Sequence, residues 1–188
     1  MKRSAMSWLV AAGVAVAVLA SAPPARATDP RSPGSADRQF LTEAASGGMM
    51  EVELGRYAAE HGKSDRVKQF GRRMADDHAK ANAELKQVAT KSSVTVPTTM
   101  NAEDREKVAR LTNLRGDEFD RAYMSAMVSD HQEDVQKFRT EADSAADPDV
   151  KSFAAKTLPT LESHLQMAQE IESGMRQATS GAGPSREH

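Results

Sequence analysis

Apolar and small residues recur at alternating spacings of three and four along most of the chain, which is the period of one face of an α-helix. Over residues 36–61 this face contains Leu41, Ala44, Gly48, Glu51, Gly55 and Ala58. Gly62 is typical of a position just past a helix C-terminus, and Ser64 is a favourable N-cap for a second helix that continues to about Lys91. The first half of the chain therefore predicts a hairpin of two long helices.

The second half of the chain predicts another such hairpin. Its first helix begins after Gly116 and runs to about Ala146. Asp147 and Pro148 suit the N-cap and first turn of the last helix, which we expect to end near residue 178. Pro159 lies inside this last helix and is expected to kink it, because proline removes one backbone hydrogen bond.

Residues 92–115 connect the two predicted hairpins. Residues 92–100 are β-branched and contain a proline, whereas Asn101 is a suitable cap for a short helix that reaches about Leu114. The connector could turn back at the same end of the molecule or cross its full length, and the sequence does not decide between these paths. The predicted fold is an all-α four-helix bundle over residues 36–178, with a short extra helix between helices two and three.

The two ends of the chain differ from this helical domain. Lys2 and Arg3 precede an apolar run over residues 8–19, and the small residues Ala25 and Ala27 follow it. This pattern is typical of a signal peptide cleaved after Ala27, and the apolar run is shorter than the ~20 residues of a membrane-spanning helix. Residues 28–35 and 179–188 are rich in Pro, Gly and Ser, as in flexible tails. We therefore expect a periplasmic or secreted protein without a transmembrane anchor after processing.

The amino-acid composition excludes several classes of binding site and catalytic site. The chain has 25 Lys and Arg residues against 27 Asp and Glu residues, a formal net charge of −2, so no basic field indicates nucleic-acid binding. It has no Cys, which leaves His, carboxylate and Met side chains as metal ligands. No catalytic triad, phosphate loop or nucleotide fingerprint occurs, so we expect no organic cofactor. The sequence does not identify a protein partner and does not decide whether the protein is an enzyme.

Three histidines are predicted to lie at one level of the bundle. His78 is 15 residues after Lys63, whereas His131 and His164 are 16 residues before and 17 residues after Asp147. At about 1.5 Å per residue, these offsets differ by about 3 Å along the bundle axis. All three histidines lie on the inward faces of their helices, so the pattern predicts that their imidazoles meet in the core.

The first helix faces this level with a glutamate. Glu51 and Glu53 are about 200° apart on a helix, so only one of them can point inward. Glu51 shares its face with Gly48 and Gly55, and it is the expected inward residue. Charged residues of the second helix, including Asp77, are expected on its solvated face.

Two interpretations of the polar level remain open. In the first, Glu51, His78, His131 and His164 bind one transition-metal ion, since imidazole and carboxylate are common ligands. The protein would then be an exported metal-binding bundle with a role in metal handling or envelope stress. In the second, the histidines form a metal-free polar layer that only fixes helix register, in a structural or partner-binding envelope protein.

Other residues near this level have simpler interpretations. Met74, Met127 and Met167 lie three or four residues from the histidines, a pattern that suits Cu(I) but is more typical of core packing. His61, at a helix C-terminus, is explained by the helix dipole, and His188 is expected in the C-terminal tail.

Four runs of sequence resemble the bacterial "domain of unknown function" family numbered four-one-four-two. They are AASGGMMEVELGRYAA, FGRRMADDHAKAN, FDRAYMSAMVSDH and AAKTLPTLESHLQMA, at residues 44–59, 70–82, 119–131 and 154–168. The resemblance implies an exported, ferritin-like four-helix bundle, and the family motif corresponds to Glu51, His78, His131 and His164. It implies no reaction. Ferritin-like di-iron proteins have a Glu-x-x-His pair on each of two helices, and this sequence contains no Glu-x-x-His, so ferroxidase activity and iron storage are not implied.

Overall fold

The computed structural model describes residues 33–181, which form five α-helices and no β-strand. The helices are α1 (Ser35–His61), α2 (Asp65–Lys91), α3 (Ala102–Thr112), α4 (Gly116–Ser144) and α5 (Pro148–Gly181). The predicted leader and most of the two predicted tails lie outside the described residues. The predicted all-α class, with a short helix between the second and third long helices, is confirmed.

The helix boundaries follow from local capping. The Ser64 side chain accepts a hydrogen bond from the backbone N–H of Val67 at 3.3 Å, and Asn101 accepts one from Asp104 at 2.8 Å. Each satisfies an N–H that has no partner within its own helix. At the other end of the chain α5 continues through Pro159 and extends to Gly181, past the expected end at residue 178.

A buried carboxylate shows how the two hairpins are joined. Asp120, near the start of α4, accepts hydrogen bonds from the backbone N–H groups of Lys63 at 2.9 Å and Ser64 at 2.8 Å. These residues form the turn between α1 and α2, so α4 begins at that end of the bundle. Because α2 ends at the opposite end, residues 92–115 must cross the full length of the molecule. The path that the sequence left open is therefore the long crossover.

A second carboxylate fixes the opposite end. Asp37, in the first turn of α1, accepts hydrogen bonds from the backbone N–H groups of Ala146 at 3.2 Å and Asp147 at 2.9 Å, in the turn between α4 and α5. The packed pairs α1–α2, α2–α5, α5–α4 and α4–α1 are consequently all antiparallel. The short helix α3 packs on α1 and α4 and covers the seam between them.

Replacing Asp120 by alanine should lower the free energy of unfolding by about 2–3 kcal/mol, because two backbone N–H groups lose their acceptor. Thermal denaturation followed by circular dichroism measures the effect. Asp117→Ala is the matched control, since Asp117 is an exposed carboxylate that accepts a hydrogen bond from the Lys63 side chain, at 2.5 Å, rather than from the backbone of the same turn. Equal melting temperatures for the two variants would contradict this role of Asp120.

The core is divided into two apolar clusters by a polar layer. One cluster contains Leu54, Met74, Met127 and Ala168 among others, and the second contains Ala45, Leu85, Val135 and Leu161 among others. On α2, α4 and α5 a buried histidine lies in sequence between the two clusters, and on α1 the buried Glu51 lies between Ala45 and Leu54. The bundle therefore places four ionisable side chains in the middle of its apolar interior. Among the described residues, no helix has both the length and the apolar character needed to cross a membrane.

Two glycines set the spacing between α1 and α2 just below this layer. A Cβ atom at Gly71 would lie 2.6 Å from the carbonyl oxygen of Gly55 and 2.8 Å from the backbone nitrogen of Ala59. A Cβ atom at Gly55 would lie 2.8 Å from the backbone nitrogen of Ala75. Because the neighbours are backbone atoms that cannot rotate away, the two helices can approach this closely only with glycine at both positions.

Candidate metal site

The three histidines predicted to share a level do meet in the core. His131 and His164 have no exposed surface, and His78 is 6% exposed. The centroids of their rings are 5.6 Å apart for His78 and His131, 5.3 Å for His78 and His164, and 5.4 Å for His131 and His164. One ring nitrogen of each histidine lies within 4.8 Å of one ring nitrogen of each other histidine. The rings thus form a nearly equilateral triangle.

Each histidine has a partner on one ring nitrogen only. His78 Nδ1 is 2.8 Å from Glu51 Oε2, and His164 Nε2 is 3.1 Å from Asp77 Oδ2. His131 Nδ1 is 3.0 Å from the carbonyl oxygen of Met127, one turn earlier in α4. The remaining nitrogens, Nε2 of His78, Nε2 of His131 and Nδ1 of His164, are buried without a hydrogen-bond partner.

This pairing determines which nitrogens can bind a ligand. A neutral imidazole that donates its single N–H to a carboxylate or carbonyl oxygen keeps a lone pair on the other nitrogen. A buried polar atom left without a partner costs about 1–3 kcal/mol, so three such nitrogens in one layer are costly unless something binds them. Histidines that bind metals show this arrangement, with the outer nitrogen held by a carboxylate or a backbone carbonyl.

The spacing of the rings also fits a shared metal ion. A metal about 2.1 Å from each nitrogen would place the ring centroids roughly 5 to 5.5 Å apart. The observed separations of 5.3–5.6 Å agree with this value. The ring separations are therefore compatible with one ion shared by the three imidazoles.

Burial keeps the three histidines neutral. Removal from solvent is the main reason that the pKa values of His78, His131 and His164 are lowered to about 4, and the neighbouring imidazoles contribute to the lowering for His131 and His164. At neutral pH the unpartnered nitrogens consequently carry lone pairs rather than protons. Protons therefore do not compete with a metal ion for these atoms near pH 7.

Glu51 lies beside the triangle, whereas Glu53 is exposed. The Glu51 side chain is 2% exposed, and burial raises its pKa to about 7. Glu51 Oε2 contacts His78 Nδ1, whereas the unpartnered nitrogen of His78 is Nε2. Glu51 Oε1 is 3.6 Å from His131 Nδ1 and has no hydrogen-bond partner. The carboxylate thus holds the outer side of the histidine layer in this structure.

Asp77 is a site residue that sequence reasoning placed on the solvated face of α2. The structure shows its carboxylate partly exposed, 3.1 Å from His164 Nε2 and 3.5 Å from Arg73 Nε. The hydrogen bond with His164 lowers the pKa of Asp77 against the opposing effect of burial, so the carboxylate is ionised at neutral pH. Helical period places Asp77 next to His78 but cannot show that α5 brings His164 against it.

The other candidate residues lie elsewhere. Met74 and Met127 are fully buried within one apolar cluster, and the Met167 sulfur is 3.6 Å from a guanidinium nitrogen of Arg73. His61 is exposed at the end of α1, with its ring centroid 4.3 Å from that of Tyr57. His188 lies outside the described residues. The methionine positions favour core packing over copper ligation.

Comparisons with known proteins agree with this fold. A family model described as "Domain of unknown function (DUF4142)" matches residues 20–171. The crystal structure of a DUF305 fragment from Deinococcus radiodurans is similar, with a TM-score of 0.65 and 13% sequence identity. The alignment covers 76% of this chain and 98% of that chain. At this identity the similarity shows the helical fold alone. No curated protein matches the chain significantly.

Proposed function

The chain belongs to the family described as "domain of unknown function (DUF4142)", and we propose that it binds one transition-metal ion at the layer formed by His78, His131 and His164. The observation that carries this proposal is that three buried, neutral imidazoles each have one nitrogen paired with an outer partner and one nitrogen unpaired.

The residues divide into two roles in this proposal. His78 Nε2, His131 Nε2 and His164 Nδ1 bind the ion. Glu51 and Asp77, together with the Met127 carbonyl group, fix the tautomer and orientation of the three rings, as outer partners do in other metal sites. Glu51 was expected among the ligands themselves, and the contact between Oε2 and His78 Nδ1 supports the orienting role instead.

The donor set favours ions that bind imidazole. Three neutral nitrogens suit Zn(II), Cu(II), Ni(II) or Fe(II), whereas Mg(II) and Ca(II) prefer oxygen. When bound, such an ion would supply a Lewis acid and two positive charges, which the Glu51 carboxylate partly offsets.

We infer a role in metal handling, in the cell envelope if the predicted leader directs export. The deep burial of all three histidines favours retention of an ion over rapid exchange of substrates. The alternative, a metal-free polar layer in a structural or partner-binding protein, leaves three buried nitrogens unsatisfied.

Titration of metal-stripped protein, produced without a histidine tag, tests the proposal. Isothermal calorimetry should show one ion per chain for at least one of Zn(II), Cu(II), Ni(II) and Fe(II). Because a ligand that binds only the folded state stabilises it, a free concentration of one hundred times Kd should add about 3 kcal/mol to the free energy of unfolding. Thermal denaturation with and without the ion measures this gain.

Substitution of one ligand should separate this site from adventitious binding. His131→Ala should weaken binding at least a hundredfold and abolish the thermal shift, whereas His61→Ala, which removes an exposed histidine, should change neither. A melting temperature unaffected by every ion would support the metal-free polar layer. Binding that survives substitution of each of the three histidines would refute the assigned ligands.

A further inference from the structure

A cavity of about 340 Å³ extends from the histidine layer toward the end of the bundle at which α1 begins. All five helices contribute residues to its wall. Its volume is within the range of about 300–1,000 Å³ that is usual for small-molecule sites. The cavity is therefore large enough for a small organic ligand, and the side chains of its wall indicate which kind.

The end of the cavity farthest from the histidine layer is apolar. Phe40, Phe138 and Phe153 are buried and line this end. Their ring centroids are 4.9 Å apart for Phe40 and Phe138 and 5.9 Å apart for Phe138 and Phe153. Leu85 and Leu161 are also buried and line the same space. Such a wall favours an apolar or aromatic group of a ligand.

Three polar side chains line the cavity between these rings and the histidine layer, namely Asn82, Asp134 and Thr157. Each is partly exposed, and none forms a hydrogen bond or an ion pair with another of the described residues. A Cβ atom at Gly48 would collide with Asn82 Oδ1, so glycine at this position leaves room for the amide. The cavity thus presents uncommitted oxygen acceptors from α2, α4 and α5.

The charge of the wall is negative, because both of its lysines are already paired. Lys107 Nζ is 2.6 Å from Asp130 Oδ1. Lys137 Nζ is 3.6 Å from Glu43 Oε2. The other acidic residues of the wall are Glu51, Glu103, Asp104, Glu133 and Asp134. An anionic ligand is therefore disfavoured, and a cationic one is attracted.

The surroundings of Asp134 agree with this sign. Burial and, to a smaller extent, the proximity of Glu51 raise the pKa of Asp134 to about 8, so the ionised carboxylate lacks a sufficient counter-charge within the protein. A cation beside Asp134 would supply this counter-charge.

The arrangement of the acceptors suits an organic cation better than a metal ion. A metal needs ligand atoms that converge, and within residues 33–181 the three histidines are the group of at least three such residues that does so. An alkylammonium group instead has three N–H donors that point in different directions. Its charge is also attracted to the faces of aromatic rings. Acceptors spread over a wall that ends in three phenylalanine rings fit this second kind of cation.

We propose that the cavity binds a small organic amine in its protonated form. The ammonium group lies at the Asp134 carboxylate, and the apolar or aromatic body of the ligand packs on the rings of Phe40, Phe138 and Phe153. Asn82 and Thr157 offer further acceptors to the ammonium group. This site lies beside the proposed metal site and does not require a metal there.

Calorimetric titration of metal-stripped protein with two amines, 2-phenylethylamine and hexylamine, tests the proposal. We expect one amine bound per chain for at least one of them. Three control compounds each lack one feature: 2-phenylethanol has no charge, 3-phenylpropionate has the opposite charge, and ethylamine has almost no apolar body. Each control should bind roughly tenfold more weakly than the bound amine, or weaker still.

Substitutions in the wall should separate recognition of the charge from a structural role. Asp134→Asn should weaken amine binding roughly tenfold or more but leave binding of 2-phenylethanol nearly unchanged. Removal of a carboxylate without a partner should not lower the melting temperature of the ligand-free protein. Thr157→Val, which keeps the side-chain shape, should weaken amine binding severalfold. Asp143→Asn is the control, since Asp143 is an exposed aspartate of α4 outside the cavity, and it should change neither affinity.

The result is independent of the proposed metal site, because His131 does not line the cavity. Metal-free His131→Ala protein should bind the amine as the wild type does, and this result would support the cavity site even if the histidines bind no metal. Absence of binding by both amines at millimolar concentration would overturn the proposal. Equal affinities for 2-phenylethylamine and 2-phenylethanol, or amine affinity unchanged in both Asp134→Asn and Thr157→Val, would also overturn it.

Discussion

Replacing Gly71 by alanine is expected to lower the free energy of unfolding by about 2–3 kcal/mol, despite the better helix propensity of alanine. The added methyl group would lie 2.6 Å from the Gly55 carbonyl oxygen and 2.8 Å from the Ala58 Cβ atom. Since neither neighbour can rotate away, α1 and α2 must move apart along their length. Chemical denaturation of the metal-free variant measures the loss.

A second glycine-to-alanine substitution serves as the control, and its expected effect on the free energy of unfolding has the opposite sign. Gly47 also lies inside a helix, but a Cβ atom there would have no neighbour within 4 Å. Gly47→Ala should therefore raise the free energy of unfolding by up to about 1 kcal/mol, through helix propensity alone. If both variants were stabilised, the close approach of α1 and α2 would not depend on glycine at position 71.

The Gly71→Ala substitution should also weaken metal binding at the candidate site. Glu51 is on α1 and His78 is on α2, and the 2.8 Å contact between them spans the interface that Gly71→Ala would widen. Loss of an outer partner of a ligating histidine typically weakens metal binding by about 10–100-fold. A folded Gly71→Ala protein should accordingly bind the metal more weakly than the wild type, although residue 71 is not itself a ligand.

The sequence was sufficient to predict the helices and the level of the histidines because both depend on local period. Caps at Ser64 and Asn101 and a fixed rise per residue determine where each helix begins and how far along it His78 lies. The path of the connector could not be predicted, because it depends on contacts of Asp37 and Asp120 with backbone N–H groups of distant turns. From the sequence alone, a carboxylate near the start of a helix could just as well cap its own helix as bind a distant turn.

The groups that contact the outer nitrogen of each histidine could not be predicted from the sequence for a related reason. Asp77 is at the edge of the inward face of α2, and its contact with His164 depends on how α5 is rotated in the bundle. The side-chain torsions of Glu51 likewise decide whether its oxygens bind a metal directly or hold His78. Helical period predicts that these groups are neighbours, but tertiary packing determines which nitrogen of each histidine stays free.

Lowering the pH from 7 to 3 is expected to release the bound metal in two stages. Below pH 7 the Glu51 carboxyl group, with a pKa of about 7 in the metal-free protein, becomes protonated, whereas the bound ion favours its ionised form. Affinity should fall by about tenfold per pH unit for each proton that binding displaces. The three histidines have a pKa of about 4, lowered from 6.5 by burial, so their protons compete only below that pH.

The second stage should be much steeper than the first. Below pH 4 three imidazoles must each lose a proton before the ion binds, so affinity should fall up to about a thousandfold per pH unit. Competition titrations against a chelator of known affinity, performed from pH 7 to pH 3, measure both stages. Glu51→Gln should reduce the number of protons displaced by metal binding between pH 7 and pH 5 by one, so that affinity depends less on pH in this range. The pH of the steep stage should not change. A steep loss centred near pH 6.5 would instead show that the histidines titrate as solvated imidazoles, and the buried triangle could not then be the binding site.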